Sequence, residues 1–452
     1  MSSKYPTEIS ATSDSRSRTF SPLETLYDDA QLQRLGKRPV LNRSFGFMSI
    51  LGFSCSALLS WEGVLVTSVP GLLNGGPAGV IYGFLINWIG TLSVYTVLAE
   101  LASIAPTTGG QCKSIHSFHD DADIGPITVL ILLALWAVLP SDHWVSMMAP
   151  KSCNTFLAYL TAWLTTTAWQ ASAAVVGYLI ATWLQGIIVL AQPAYVPTSW
   201  QTVLIFWATM LFAVIVNSTT GKVLARFEGF VLVLHLAGFF GVLVPLVYFA
   251  PHNDARTVFT TFVNEGGWSS QTLSFLVGFP LVASSFLGGD SAVHMSEEIQ
   301  GAAIVVPRAL LFTVFINGSL AFAMITALMF CLTDLPSALG AAETMFYPFL
   351  QIAYSALGSR VGACLMAGII LVLAIAGSVS VYASASRMLW SFSRDKGLPG
   401  HTYLVKVSNI IAIVACFHLT NLWLLSSFPK PPYLSLQLSP LWPSPCCYRS
   451  LH

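Results

Sequence analysis

The sequence predicts an all-α, polytopic membrane protein. Of its 452 residues, 55% are hydrophobic and only 9% are charged, a balance that soluble globular domains do not have. Runs of about 20 apolar residues recur along the chain, and each is long enough to cross a bilayer as an α-helix. The net charge of zero carries no information about partners, so the positions of Lys and Arg must decide the topology.

The same sequence argues against several other classes of protein. The eight cysteines have no metal-ligand or redox spacing, and we expect no bound metal. No basic patch with interleaved aromatic residues is present, so we expect no nucleic-acid partner. His294, Glu297 and Glu298 are ordered H-x-x-E-E rather than H-E-x-x-H. No nucleophile motif or phosphate-binding loop is present either, which argues against an enzyme.

Residues 1–44 predict a disordered N-terminal tail in the cytosol. They are rich in Ser, Thr, Asp and Arg, and they lack the apolar segment of a signal peptide. Lys37, Arg38 and Arg43 precede the first apolar run. Because basic residues stay on the cytosolic side, the N-terminus is predicted to be cytosolic.

Eight spans are predicted within a core of residues 45–408, and we number them 1 to 8 in chain order. They cover about 45–73, 78–102, 154–184, 200–217, 226–250, 273–295, 308–332 and 360–390. A turn at 74–77 separates spans 1 and 2, and Pro307 is expected to open span 7, where its missing N–H is tolerated. Residues 409–452 predict a divergent C-terminus, within which 410–425 could form a ninth span.

The short apolar run within residues 112–143 is predicted not to cross the membrane. If this insertion does not cross, the outer side has little beyond Arg256 and Arg360. The cytosolic loops then contain Lys113, Lys151, Lys222, Arg226, Arg308, Arg387, Arg394 and Lys396. A further crossing would turn these basic loops outward, against the positive-inside rule.

Two of the predicted spans contain residues that do not suit hydrocarbon. In span 6, Gly288 and Gly289 precede Asp290, and in span 1, Glu62 and Gly63 lie near the centre. A helix broken at membrane depth is tolerated where it is buried in protein or lines a cavity. Many secondary transporters offer such broken ends to their solute. Glu62 could instead be a structural hydrogen-bonding group, but an intramembrane carboxylate is a functional-site candidate by default.

Span 5 contains one titratable residue near its middle, His235. The unperturbed pKa of histidine suits reversible protonation near neutral pH. A lone histidine can also simply form a hydrogen bond with a neighbouring helix. Both interpretations stay open at this point.

Four stretches together resemble the amino acid–polyamine–organocation superfamily of transporters, in particular its fungal branch of amino acid, choline and GABA permeases. They are ELASIAPTTGGQ at 100–111, WVSMMAPKSCNTFLAYLTAW at 144–163, FLGGDSAVHMSEEIQGAAIVVPRA at 286–309 and SASRMLWSFSRDKGLP at 384–399. The resemblance implies an inverted repeat of five helices plus five, often followed by two more. Spans 1 and 6 would be the broken pair that holds the solute.

The resemblance also implies the site residues. In span 1 they are Ser60, Trp61, Glu62 and Gly63, and in span 6 they are Phe286, Leu287, Gly288, Gly289 and Asp290. The N–H groups at the start of a half-helix would bind a substrate carboxylate, and exposed carbonyls would bind its ammonium group. For a quaternary amine, Trp61 and Phe286 would supply cation–π contacts.

Coupling and gating residues follow from the same resemblance. Asp290 lies where related transporters have an acidic residue linked to gating, and His235 falls where a proton-coupled bacterial relative has a lysine. Glu297 and Glu298 are expected at the cytosolic mouth, in a gating or structural role. No cofactor is expected, because the proton gradient would supply the driving force.

The sequence departs from the family in two places. Residues 112–143 separate the GGQ and WVS stretches, and the expected continuation after about 408 is missing, so the core ends after eight or nine spans. Both departures predict gene-model errors. The first would be a retained intron, and the second a frameshifted or truncated end.

The expected function is import of an amino acid or related small amine, such as choline or GABA, by a plasma-membrane permease. Proton symport with alternating access is the expected mechanism. Two alternatives stay open, a non-transporting nutrient sensor on the same fold and an inactive truncated product.

Overall fold

The computed structural model describes residues 22–35, 39–108, 144–145 and 148–404, and the regular elements among these residues are all helices. Span 6 contains the shorter apolar stretch Gln271–Phe286. Seven longer helices are apolar enough to cross a membrane: Phe47–Thr67, Val69–Ile104, Asn154–Ala191, Ser199–Asn217, Gly221–Phe249, Ala302–Cys331 and Arg360–Arg394. The predicted all-α, polytopic fold class is therefore confirmed.

The remaining described helices are short and lie outside the spans. They are Pro22–Arg34, Ala255–Thr260, Leu335–Met345, Pro348–Leu357 and His401–Leu404. The predictions for 112–143 and for 409–452, including a ninth span, concern residues outside the described ranges.

The helix Pro22–Arg34 corrects the prediction that residues 1–44 are disordered throughout. An Asp28 carboxylate oxygen accepts a hydrogen bond from the Gly301 N–H at 2.9 Å, and Arg43 pairs with Asp29 at 2.7 Å. Leu32 is 5% exposed. These contacts with the start of span 7 stabilise a segment whose composition alone is that of a tail.

Two predicted boundaries also differ from the structure. Span 2 begins at Val69, and the predicted turn at 74–77 is a kink at Gly76, where φ is +65°. Span 7 begins at Ala302, so Pro307 lies within the helix and does not open it. Gly301, with φ at +60°, makes the turn into span 7 instead, a conformation that glycine adopts without steric cost.

One end of the bundle contains Arg43, Arg387 and Arg394, and we call it the basic end. The chain just before span 1 lies beside the end of span 6, because the N–H of Phe45 donates to the Glu298 carbonyl at 3.1 Å. Arg387 and Arg394, near the end of span 8, contact the same part of span 6. The basic end is the one that the sequence predicts to be cytosolic.

The residues on either side of 109–143 lie next to each other. Trp144 is buried, and its indole N–H donates to the Ala105 carbonyl at 3.1 Å. Thr108 contacts Glu297, which places the chain that follows span 2 at the basic end. That 112–143 does not cross the membrane stays a prediction.

Span 1 packs against spans 5 and 8 at glycines. A Cβ atom on Gly52 would lie 2.3 Å from the Glu228 carbonyl oxygen, and one on Gly377 would lie 2.3 Å from the Ser56 carbonyl oxygen. Real Cβ atoms do not come so close to backbone, so three helix backbones meet here without intervening side chains.

We expect Gly377→Ala to destabilise the protein by about 1–3 kcal/mol, because overpacking forces backbone to shift. Gly368→Ala on the same helix is the matched control, since a Cβ atom there would meet nothing within 4 Å. Thermal unfolding of the two purified variants in detergent measures the difference. Equal midpoints would contradict the close crossing.

Candidate functional site

Span 1 is interrupted at Leu59, directly before the predicted break at 60–63. Leu59 has φ 46° and ψ 43°, a left-handed conformation that costs a non-glycine residue about 1–2 kcal/mol. The first half-helix, Phe47–Leu58, ends here and the second, Ser60–Thr67, begins. Ser60 to Gly63 therefore form the first turn of the second half, whose first N–H groups have no acceptor within that helix.

Span 6 is interrupted within the predicted residues. The helix Gln271–Ala283 continues as a 3₁₀ turn at Ser284–Phe286, and helix resumes only at Ser291–His294. Gly288 has φ +103°, which only glycine adopts readily. A Cβ atom on Gly288 would lie 3.1 Å from the Ala57 carbonyl oxygen, so this interruption packs closely against span 1.

The structure brings the two interruptions together, and we call residues 59–63 with 285–290 the broken-helix site. The Ser60 hydroxyl donates to the Ser285 carbonyl at 2.7 Å. One turn before the break in span 1, the Ser54 hydroxyl lies 3.5 Å from that of Ser291. The backbone ends of both half-helix pairs therefore meet in the interior of the bundle.

Glu62 and His235 form a buried pair beside this site. Glu62 Oε1 lies 2.8 Å from His235 Nδ1, and the two side chains are 3% and 1% exposed. Trp61 contacts the imidazole and Phe239, with ring centroids 5.8 and 5.9 Å apart. The contact uses Nδ1, so Nε2 is the ring nitrogen left for another partner.

Four buried polar atoms at the broken-helix site and the adjoining pair have no hydrogen-bond partner among the described residues. They are Trp61 Nε1, Glu62 Oε2, His235 Nε2 and Ser285 Oγ. Buried polar groups in native proteins are almost always bonded to protein or to ordered water. These atoms are therefore donors and acceptors still able to bond to a polar solute or to water.

Some predicted contact residues are placed differently. Leu287 is 65% exposed, so only its backbone lies at the broken-helix site, and its predicted contact with substrate stays a prediction. Phe286 is buried, but it packs on Phe84 with centroids 5.2 Å apart. Among the described rings, Trp61 contacts His235 and Phe239, and Phe286 contacts Phe84, so the two predicted cation–π rings belong to different aromatic clusters.

Gly63, Gly289 and Asp290 do not share one set of neighbouring residues. Gly289 packs against span 2, because a Cβ atom there would lie 2.8 Å from the Tyr95 hydroxyl. A Cβ atom on Gly63 would meet nothing within 4 Å. Asp290 lies 3.4 Å from His294 Nε2 one turn later in span 6, and its side chain is 17% exposed.

Glu297 and Glu298 connect the end of span 6 to span 8. Arg394 donates two hydrogen bonds to Glu297, at 2.6 and 2.8 Å. Arg387 donates to Glu298 at 2.8 and 3.5 Å, and both members of this second pair are less than 8% exposed. Two fork-shaped, charge-assisted pairs thus join spans 6 and 8 at the basic end.

Sequence reasoning missed Glu228 in span 5. This side chain is fully buried, and its carboxylate contacts the hydroxyls of Ser56 in span 1 and Ser380 in span 8. A carboxylate inside a predicted span was the available signal. An apolar groove of about 400 Å³ lies elsewhere, between spans 5 and 7, and none of the predicted site residues lines it.

Apolar spans with paired interruptions around buried polar atoms are the architecture of a membrane transporter. A model of the amino acid permease family matches residues 45–427. The chain belongs to this family, within the predicted superfamily, and it is not an enzyme.

Three relatives illustrate the similarity. The choline transporter of Saccharomyces cerevisiae is 30% identical over 361 residues, covering 79% of this chain and 58% of that protein. An uncharacterised amino-acid permease of Schizosaccharomyces pombe is 27% identical, over 84% of this chain and 65% of that protein. The GABA-specific permease of S. cerevisiae is 24% identical, over 85% of this chain and 63% of that protein. The chain spans less than two thirds of the length of each relative.

Proposed function

We propose that the protein is a secondary active transporter that imports an amino acid or related small amine across the plasma membrane. The observation that carries the proposal is the set of unpartnered polar atoms at the broken-helix site and the adjoining pair. Glu62 Oε2 would accept from a substrate ammonium group, and the first-turn N–H groups after Leu59 would bind a substrate carboxylate. A zwitterionic amine fits both groups, whereas a cationic amine without a carboxylate fits only Glu62.

Choline and GABA are candidate substrates because two of the relatives bear these names. Choline lacks a carboxylate and an N–H donor, so its recognition would depend on Glu62 and on aromatic contacts.

Proton symport with alternating access is the proposed mechanism. The Glu62–His235 pair lies beside the broken-helix site and can exchange one proton at Nε2. At the basic end, which we take as cytosolic, the Glu297–Arg394 and Glu298–Arg387 pairs hold spans 6 and 8 together. Opening toward the cytosol would require these pairs to separate, and Asp290 would respond to the same movement of span 6.

A competition-uptake panel of amino acids, GABA, choline and polyamines tests the substrate class. We expect saturable uptake of one labelled amine, competition by compounds of the same class, and loss of accumulation when the proton gradient is abolished. Binding of that compound without flux would indicate a nutrient sensor instead. Uptake at full rate without the gradient would exclude proton coupling.

A further inference from the structure

We propose that Glu228 is a second proton-binding site, separate from the Glu62–His235 pair. Its proton is held while the first half of span 1 packs against spans 5 and 8. This inference rests on the proton-coupled transport proposed above, and it adds a protonatable group that neither the sequence prediction nor the family comparison assigns.

Three spans meet at the Glu228 carboxyl group. The Ser56 hydroxyl of span 1 lies 3.0 Å from Oε2, and the Ser380 hydroxyl of span 8 lies 2.9 Å from Oε1. The two hydroxyl oxygens are 2.7 Å apart, and Glu228 is fully buried. Because the oxygens touch one another directly, the site leaves no place for a metal ion between them.

When Glu228 is ionised, this cluster has fewer hydrogens than oxygen–oxygen contacts. Ser56 Oγ also lies 3.0 Å from the Phe53 carbonyl, which makes four oxygen–oxygen contacts in all. The two serine hydroxyls supply one hydrogen each. A protonated Glu228 supplies a third, so that Ser56 can donate to Phe53 while it accepts from the carboxyl group.

No cation compensates this carboxyl group among the described residues. Lys222 and Arg226, on the same helix, are exposed. The other titratable groups of the packed spans have partners elsewhere: Glu62 with His235, Arg387 with Glu298, Tyr382 with the Ala173 carbonyl, and Cys55 with Thr313. An ionised carboxylate that is buried without a cation is costly, and such a group takes up a proton instead.

The position of Ser56 connects this proton to movement of span 1. Ser56 lies in the last turn of the first half-helix, just before the break at Leu59. The contacts at Gly52 and Gly377 bring the backbone of this half-helix against spans 5 and 8. When the half-helix moves away, Glu228 loses the Ser56 hydroxyl and gains water, so the proton can leave.

Glu228→Gln tests the proposal, because glutamine has the shape of the protonated acid and does not ionise. In proteoliposomes, we expect exchange of preloaded substrate to continue, while proton-driven accumulation falls at least about tenfold, or 1.4 kcal/mol. Glu265→Gln, at an exposed carboxylate, is the matched control and should accumulate substrate normally. The proposal would be overturned if Glu228→Gln accumulated substrate at the wild-type level. It would also be overturned if wild-type transport depended on Na⁺ and transport by Glu228→Gln did not.

A second measurement does not depend on transport. An unfolded glutamate is ionised above about pH 4.3, whereas the folded site holds its proton. The wild-type protein should therefore lose thermal stability relative to Glu228→Gln as the pH rises from about 5 to about 9. The same difference should persist in a His235→Gln background, which separates the two proton sites.

These outcomes distinguish the two proposals. Uptake by the wild-type protein that does not depend on the proton gradient would refute symport. The dependence of thermal stability on pH would still show whether Glu228 binds a proton. Parallel curves for wild type and Glu228→Gln would refute the proton site even if symport holds.

Discussion

Glu62→Gln is expected to lower substrate uptake at least about tenfold without preventing membrane insertion. Glutamine keeps the shape of the side chain and can still accept from His235, which lies 2.8 Å away. It removes the charge that Oε2 would offer to a substrate ammonium group, and a hydrogen bond to a charged group contributes about 1.5–3 kcal/mol. Initial uptake rate, normalised to protein at the membrane, measures the effect.

Two comparisons make this prediction specific. Glu265→Gln changes an exposed carboxylate outside the broken-helix site and should leave uptake unchanged. Because Glu62 and His235 act as a pair, Glu62→Gln combined with His235→Gln should cost less than the sum of the single changes. Wild-type uptake by Glu62→Gln would refute the assignment of this carboxylate to the site.

Glu298→Ala is expected to cause the largest loss of stability, about 3–5 kcal/mol, because it leaves a buried guanidinium without its partner. Arg387 is 3% exposed and donates two hydrogen bonds to Glu298. Thermal unfolding in detergent measures the loss. Arg308→Ala, at an exposed arginine of span 7, is the control and should change the midpoint little.

A charge exchange separates the pair itself from either side chain. Glu298→Arg combined with Arg387→Glu should recover part of the stability that each single change removes, since the exchanged charges can pair again. No recovery in the double variant, with each single variant destabilised, would show that hydrogen bonds other than this pair hold the basic end together.

The two interruptions differ in how far the sequence could predict them. In span 6, the consecutive Gly288 and Gly289 encode the break locally, and it falls where it was predicted. In span 1, the break is predicted at 60–63, and the left-handed residue is Leu59, directly before them. Tertiary contact imposes this conformation, since the Leu59 side chain packs directly over Gly377 of span 8. No local pattern reports such a contact.

Pairings were harder to predict than the residues that form them. Glu62 and His235 were each identified as ionisable groups within a span, but their contact depends on the relative rotation of spans 1 and 5. Glu228 was missed because the predicted span began at residue 226, where a carboxylate is typical of the membrane interface. The helix begins at Gly221, and Glu228 therefore lies about two turns inside it.

The hydrogen bond between Trp144 and Ala105 has a consequence for chain length. Because both ends of the stretch 109–143 are held at one point, its length can change without displacing the spans on either side. We therefore expect the spans on either side to keep their positions when an epitope or fluorescent tag is inserted here.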